Sequence, residues 1–426
     1  MNGGPWRSEV HAFLAATWLA GFVLFAPLVD GAINLFPVLL ILTALAFGWQ
    51  GMGETWRAQS LAFVGWYLFV GGALLSLANN QDWGFAGWRL ERYWPFLFLP
   101  LVVNLLLRLR RPHWRFVGGS LVIGSLALAM VSAYHLLALN QARLGIPDSL
   151  NPNRVSEAAF VYAVMLLAAL AALPGLGRWR VPLVVGLAGA FYAGLAAGSR
   201  TAFAAFALAG AGLALAWVLR ERRWWAAGVV LVVALSAGAI VTQVSDFSER
   251  LWDARDHLAA YREDPSEVSP LSIRLNLWHA ALRIAAEHPL VGTGLGDAQH
   301  DAQRLVEAGE IPLHKSYARF HSTYAGALAT SGLIGLGTLL AGLFILPAAH
   351  LARQARETRQ GPLAVYGAWA GLAVLAFYLP LGLASSWLFN RGMPVFYVAM
   401  AVAFALSRFR QQAGGRQPGG SRSTSA

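Results

Sequence analysis

The chain has 426 residues, 57% of them hydrophobic and only 12% charged, with a formal net charge of +11 and no cysteine. An ordinary soluble domain carries about 25% charged residues, so the composition excludes a soluble enzyme and reads as a polytopic membrane protein. The lack of cysteine excludes a disulfide framework, a thiolate metal site and a thiol nucleophile.

Crossing a hydrocarbon core of about 30 Å takes about 20 apolar residues. Segments of that kind fall, in chain order, at 11–29, 32–49, 59–78, 93–107, 115–139, 155–174, 181–198, 201–219, 224–243, 321–346, 362–383 and 388–407. The first has a weakly basic leader at Arg7 and no small-residue cleavage pattern, and is expected as an uncleaved helix. The predicted fold class is an all-α polytopic integral membrane protein with about 12 transmembrane helices. Nine spans occupy 1–243, a polar loop 244–320, three more spans 321–408, and a Gly/Ser/Gln/Arg tail of disordered composition 409–426.

Short loops on the cytoplasmic side retain Lys and Arg. One set of alternate loops, from Arg7 through the Arg108–Arg115 cluster to the Arg408–Arg422 tail, holds 18 of the 32 basic residues. The opposite short loops hold Arg89, Arg92, Arg143, Arg154, Arg200 and Arg391. Both termini are therefore expected in the cytoplasm and the long loop outside. That loop holds 12 of the 21 acids, so the basic balance reports topology and gives no reason to expect a nucleic-acid partner.

Within the loop, "SIRLNLWHAALRIAAEH" has helical periodicity through Ile273, Leu277, Trp278, Ala281, Leu282 and Ala285. An amphipathic helix near 272–288 is expected, capped by Ser272, lying on the membrane surface, with Arg274 in its first turn and Trp278 one turn on. The "GTGLGD" that follows, Gly292 to Asp297, comes after a helix and not a strand, so it reads as a turn and not a dinucleotide loop.

Arg200 stands in the short turn between two spans, in "YAGLAAGSRTAFAAFAL". An arginine deep in a span costs about 2.5–3.5 kcal/mol and less toward the interface. It shares the outer face with Arg274, Arg89 and Arg92, and converging guanidinium forks suit a multiply charged anion such as a phosphate. Where the loop re-enters the membrane, "ARFHSTYAGALATSGLIGLG" places His321 in the expected first turn of a helix, with Ser322 and Tyr324 beside it. The helix dipole and nearby arginines both disfavour imidazolium, so the ring should be neutral and able to accept a proton. The histidines in or beside the loop lack metal-ligand spacing such as H-x-x-x-H, and no metal site is expected.

Taken in order, "GSRTAF" at a span junction, "SIRLNLWHAALRIAAEHPLVGTGLG" in the large loop and "HSTYAGALATSGLIGL" opening the next span resemble the O-antigen ligase family, which includes related polymerases and protein O-oligosaccharyltransferases. The resemblance implies a GT-C-like glycosyltransferase fold in a bacterial inner membrane, with the large loop and active site periplasmic. It implies transfer of a glycan from undecaprenyl pyrophosphate to an acceptor, in ligases a hydroxyl of the lipid A core. Arg200 and Arg274 match the arginines that handle the donor pyrophosphate, and His321 matches the essential histidine. Many relatives have His-Asn followed by an aromatic and Leu; this chain has His321-Ser322-Thr323-Tyr324-Ala325. Arg89, Arg92, Trp278 and Tyr324 are the expected substrate-binding residues, alongside membrane lipid around the spans.

The residues themselves agree with that chemistry. Pyrophosphate leaves as an anion, so the reaction needs positive charge where negative charge develops. Many glycosyl transfer sites supply it with a metal on D-x-D; no D-x-D occurs, arginines are at hand, and no cofactor is expected. An inverting displacement without metal follows, with His321 as base or orienting group for the acceptor hydroxyl. A polymerase shares the donor and stays open, as does a transporter, though no acid falls mid-span as coupled transport usually requires.

Overall fold

The computed structural model describes residues 5–139, 151–221, 256–257, 259–266, 268–313, 317, 319–357, 361–390 and 392–409. The expected span at 224–243, Arg143, Arg391 and the tail from residue 410 lie outside them. The helices before the loop are α1 (Pro5–Phe25), α2 (Ala32–Phe47), α3 (Met52–Leu75), α4 (Trp83–Leu90), α5 (Pro95–Leu106), α6 (Arg111–Ala133), α7 (Pro152–Ala172), α8 (Arg180–Ala196) and α9 (Arg200–Glu221). The loop carries α10 (Pro270–Glu287) and α11 (Ala298–Glu307), and α12 (Thr323–Leu339), α13 (Leu346–Arg356), α14 (Pro362–Ala384) and α15 (Gly392–Ser407) follow. Among the described residues there is no strand.

Among the described residues six helical stretches are long and apolar enough to cross a membrane: Met52–Asn79, Arg111–Ala138, Pro152–Ala172, Gly177–Ala196, Thr323–Arg356 and Pro362–Ala384. Glu9–Phe25, Ala32–Phe47, Arg200–Ala216 and Gly392–Ser407 are shorter apolar helices. The protein is thus a helical, multi-pass membrane protein. The expected span at 93–107 is realised as α5, whose 12 residues reach only about 18 Å. The residues before it form α4, a helix the apolar pattern does not announce, N-capped by Asp82, whose Oδ1 accepts the Phe85 N–H at 2.9 Å.

Why α15 is apolar all round becomes clear from its place: every residue from Gly392 to Ser407 is buried, among α14, α5, α7 and α2. Trp387, Phe396 and Tyr378 form the densest part of this core, with ring centroids 4.7–5.0 Å apart, and the Tyr378 hydroxyl donates to the Gly392 carbonyl at 3.2 Å. Large apolar side chains face outward on the periphery, among them Phe13, Leu42, Ile123, Leu208 and Leu215. In water such an exposed apolar coat would be a liability; in lipid it is the matching solvent.

α12 is interrupted at Gly332, whose φ of 61° and ψ of −162° leave the helical region. The break removes helical partners from four backbone groups, and the loop after α10 replaces all four. Thr293 and Gly294 donate to the Ala329 and Thr330 carbonyls at 3.1 Å each, while Leu333 and Ile334 donate to the Pro289 and Leu290 carbonyls at 2.8 and 3.0 Å. Only glycine fits on either side, since a Cβ on Gly332 would lie 2.4 Å from the Leu290 carbonyl carbon and one on Gly292 2.4 Å from the Ser331 nitrogen. The glycine-rich stretch is therefore the turn expected, with the added task of satisfying a broken helix where unpaired backbone is costly.

The bundle has two chemically different ends. At one, Arg110 pairs with Glu9 and Arg108 donates to the Gln50 carbonyl at 2.8 Å. At the other, Arg154 pairs with Asp30 at 2.7 Å, and the α3–α4, α8–α9, α10–α12 and α14–α15 connections gather there. The arginines with expected roles lie at this second end.

Candidate functional site

α9 begins at Arg200, directly after a turn in which Gly198 adopts a φ of 69° and donates to the Leu195 carbonyl at 2.8 Å. Short connection and helix start together place Arg200 at this end of the bundle.

α10 starts three residues earlier than the sequence suggests. Ser269, not Ser272, is its N-cap: Ser269 Oγ accepts the Ser272 N–H at 3.0 Å, Ser272 Oγ accepts the Ser269 N–H at 2.8 Å, and Pro270 fills the first helical position. Arg274 consequently sits at the start of the second turn. The apolar face of α10 does not lie open for lipid. Leu277, Ala280, Ala281 and Ile284 pack with Ala298, Ala302 and Leu305 of α11, with Phe320, and with Ala329 of α12, forming a small core of their own. Leu282, counted in the same stripe, is exposed.

His321 precedes α12 and is not in its first turn. Ser322 is the N-cap, its Oγ accepting the Ala325 N–H at 3.2 Å and donating to the Gly382 carbonyl at 3.1 Å. Among the described residues His321 is the one non-glycine residue with positive φ, at 52°. That conformation costs a non-glycine residue about 1–2 kcal/mol and persists only where neighbours hold it. Here they do: Thr323 donates to the Ser385 carbonyl through its N–H at 3.0 Å and through Oγ1 at 2.8 Å. Ser385 Oγ in turn donates to the buried carboxyl of Glu157 at 3.3 Å. The imidazole is exposed at the mouth of the site, with the Tyr317 ring edge-on at 6.2 Å.

The structure brings the cations together around this histidine. Desolvation by the surrounding protein lowers the His321 pKa below the ordinary histidine value, and the charges of Arg274 and Arg319 lower it further. Burial lowers the Arg274 pKa, helped by the charge of Arg200, and burial lowers that of Arg319, helped by Arg92. Arg89 is buried, which pulls it down to about 10, opposed by Tyr93 and helped by Arg319, so it remains charged near neutrality. Among the described residues no carboxylate lies within ion-pair distance of Arg274 or Arg319.

Arg319 is the site residue that sequence reading passes over. Its Nη1 donates to Asn390 Oδ1, and its guanidinium lies 5.8 Å from the Trp88 ring centroid. Arg92 lies 6.0 Å from the same ring. Arg89 lies 5.0 Å from the Phe85 ring and 5.4 Å from that of Phe389. The signal was present in "ARFHSTY", two residues from His321, but a loop arginine carries no mark of where its loop folds. Of the other expected residues, Trp278 holds its Nε1–H buried without a partner, next to Arg274 in helical spacing. Tyr324 turns away from the cluster: its hydroxyl donates to the Leu379 carbonyl of α14 at 2.5 Å and its ring packs on Gly382.

Among the described residues no three His, Asp or Glu side chains are grouped as metal ligands. Fold and site together define a multi-pass helical membrane protein with a cationic, histidine-bearing site at one end of its bundle. Residues 183–340 match the O-antigen ligase family, a stretch that runs from α8 into the segment after α12 and contains Arg200, Arg274, Arg319 and His321. The match supports an enzyme of the O-antigen ligase or polymerase type, acting in lipopolysaccharide biosynthesis on lipid-linked glycan. Among curated proteins none matches the chain significantly.

Proposed function

We propose that the protein is an O-antigen ligase of the bacterial inner membrane, with both termini cytoplasmic, about 12 spans in a GT-C-like fold, and its site on the periplasmic face. The donor is a glycan on undecaprenyl pyrophosphate and the acceptor a sugar hydroxyl of the lipid A core. The observation that carries the reading is His321, held in a left-handed backbone conformation among arginines within the family-matched stretch.

In this mechanism Arg200 and Arg274 bind the pyrophosphate. The acceptor hydroxyl attacks the anomeric carbon of the glycan from the face opposite the leaving group. Its proton passes to the neutral imidazole of His321, the new glycosidic bond forms, and the bond from the anomeric carbon to the phosphate oxygen breaks. Undecaprenyl pyrophosphate leaves as an anion stabilised by the guanidinium groups, and His321 returns its proton to solvent. The configuration inverts and no metal takes part.

Reconstitution with purified lipid-linked glycan and lipid A core, with and without EDTA, tests the reading. A capped lipid A core formed equally in EDTA is the expected product. A lengthened polyprenyl-linked glycan would reassign the chain to polymerisation, and loss of activity in EDTA restored by a divalent ion would overturn the metal-free step.

A further inference from the structure

We propose, resting on the transfer reaction above, that Arg319 and Arg92, both beside the Trp88 ring, form a second anion subsite, separate from the donor's, that takes a phosphate group carried by the acceptor glycan. An inverting transferase must hold two substrates, with the acceptor hydroxyl and the leaving group on opposite faces of the anomeric carbon. The charges of Arg274 and Arg319 both act on His321, with Arg200 the charged neighbour of the first and Arg92 that of the second. A single pyrophosphate that engages Arg200 and Arg274 leaves Arg319 to whatever brings the hydroxyl.

The second pair is built for a ligand. Both guanidinium groups lie about 6 Å from one indole centroid, at 5.8 and 6.0 Å, and Arg319 is further fixed by Asn390. Arg89 is buried against Phe85 and Phe389, and Trp88, Arg89, Arg319, Ser386 and Phe389 line one small pocket. Indole and arginine together suit a phosphorylated sugar, whose ring stacks on an aromatic face while its phosphate takes the guanidinium forks. A second source of the same phosphate chemistry is a phospholipid headgroup. Beyond Arg92, past the carboxylate of Glu91, a crevice of about 370 Å³ opens between α2, α5 and α15, lined by Val38, Ile41, Trp94 and Met393.

Binding decides between them without any turnover. The full chain is placed in phosphatidylcholine nanodiscs and titrated with soluble phosphorylated core oligosaccharide or its phosphatase-treated form, following tryptophan fluorescence. Removing the phosphates should weaken wild-type binding about tenfold, the scale of a charge-assisted contact. Arg319→Gln should weaken binding of the phosphorylated form by the same factor, with no further loss when both changes combine, and should leave donor affinity within twofold. Equal affinity of wild type for both oligosaccharides overturns the proposal, as does an Arg319→Gln effect on donor affinity as large as that of Arg274→Gln. Phosphatidylglycerol in the nanodisc that abolishes the difference between the oligosaccharides assigns the pair to a headgroup and overturns it too. Phosphate-dependent binding in a protein that transfers no glycan would leave this subsite standing and remove the ligase reading instead.

Discussion

Replacing His321 by glycine separates catalysis from stability. The left-handed backbone at φ 52° costs histidine about 1–2 kcal/mol, which glycine avoids. Glycine loses about 0.5–1 kcal/mol through its freer unfolded chain, and the edge contact with Tyr317 disappears. These terms nearly cancel, so His321→Gly should unfold within about 1 kcal/mol of wild type. A positioned proton acceptor contributes about 10²- to 10⁴-fold in rate, equal to about 2.7–5.5 kcal/mol in the activation barrier. The assay is glycan transfer in proteoliposomes from pH 5 to 8, beside thermal unfolding of the same preparation. Wild type should show a rate that rises with pH and levels off above an apparent pKa lower than that of ordinary histidine, because the neutral ring is the active form and desolvation by the surrounding protein and two arginines disfavour its protonation. The glycine variant should lose both the rate and that limb. Transfer by His321→Gly at close to the wild-type rate, or an activity loss matched by an equal loss of folded protein, would refute the argument.

Three other substitutions probe the neighbours. Arg274→Gln removes the largest charge acting on His321, so residual activity should show its acid limb at higher pH while donor affinity falls; an unmoved limb would show that desolvation alone sets the ring's pKa. Arg200→Lys should cost at least about tenfold in transfer, since a point charge cannot reproduce a bidentate fork, and near-normal rates would mean that charge alone suffices there. Gly332→Ala puts a Cβ 2.4 Å from the Leu290 carbonyl carbon at a backbone conformation reserved for glycine. Strain alone costs about 1–3 kcal/mol, so an unchanged unfolding temperature would contradict the stitched break in α12.

The apolar segments by themselves marked most of the helices, though not α4 or α11. Wherever about 20 apolar residues follow one another, the backbone must satisfy its own hydrogen bonds: 11 of the 12 expected segments fall on described helices, six helical stretches among the described residues are long and apolar enough to cross, and the segment at 224–243 lies outside the described residues. Arg200, Arg274 and His321 were legible too, because a charge or a titratable ring beside a membrane segment needs a reason. Local capping was legible only in kind: Ser269 and Ser272 both suit an N-cap, and the reciprocal hydrogen bonds of the folded turn choose Ser269. The left-handed turn at His321 depends on Ser385 and Glu157, far away in sequence, and no local pattern encodes it. Arg319 joined the site, and Tyr324 left it, for the same reason. Which face of a loop meets which helix end is settled by long-range packing, here the small core of α10, α11 and Phe320 that carries Arg319 toward Trp88 and the α14 carbonyl that claims the tyrosine hydroxyl.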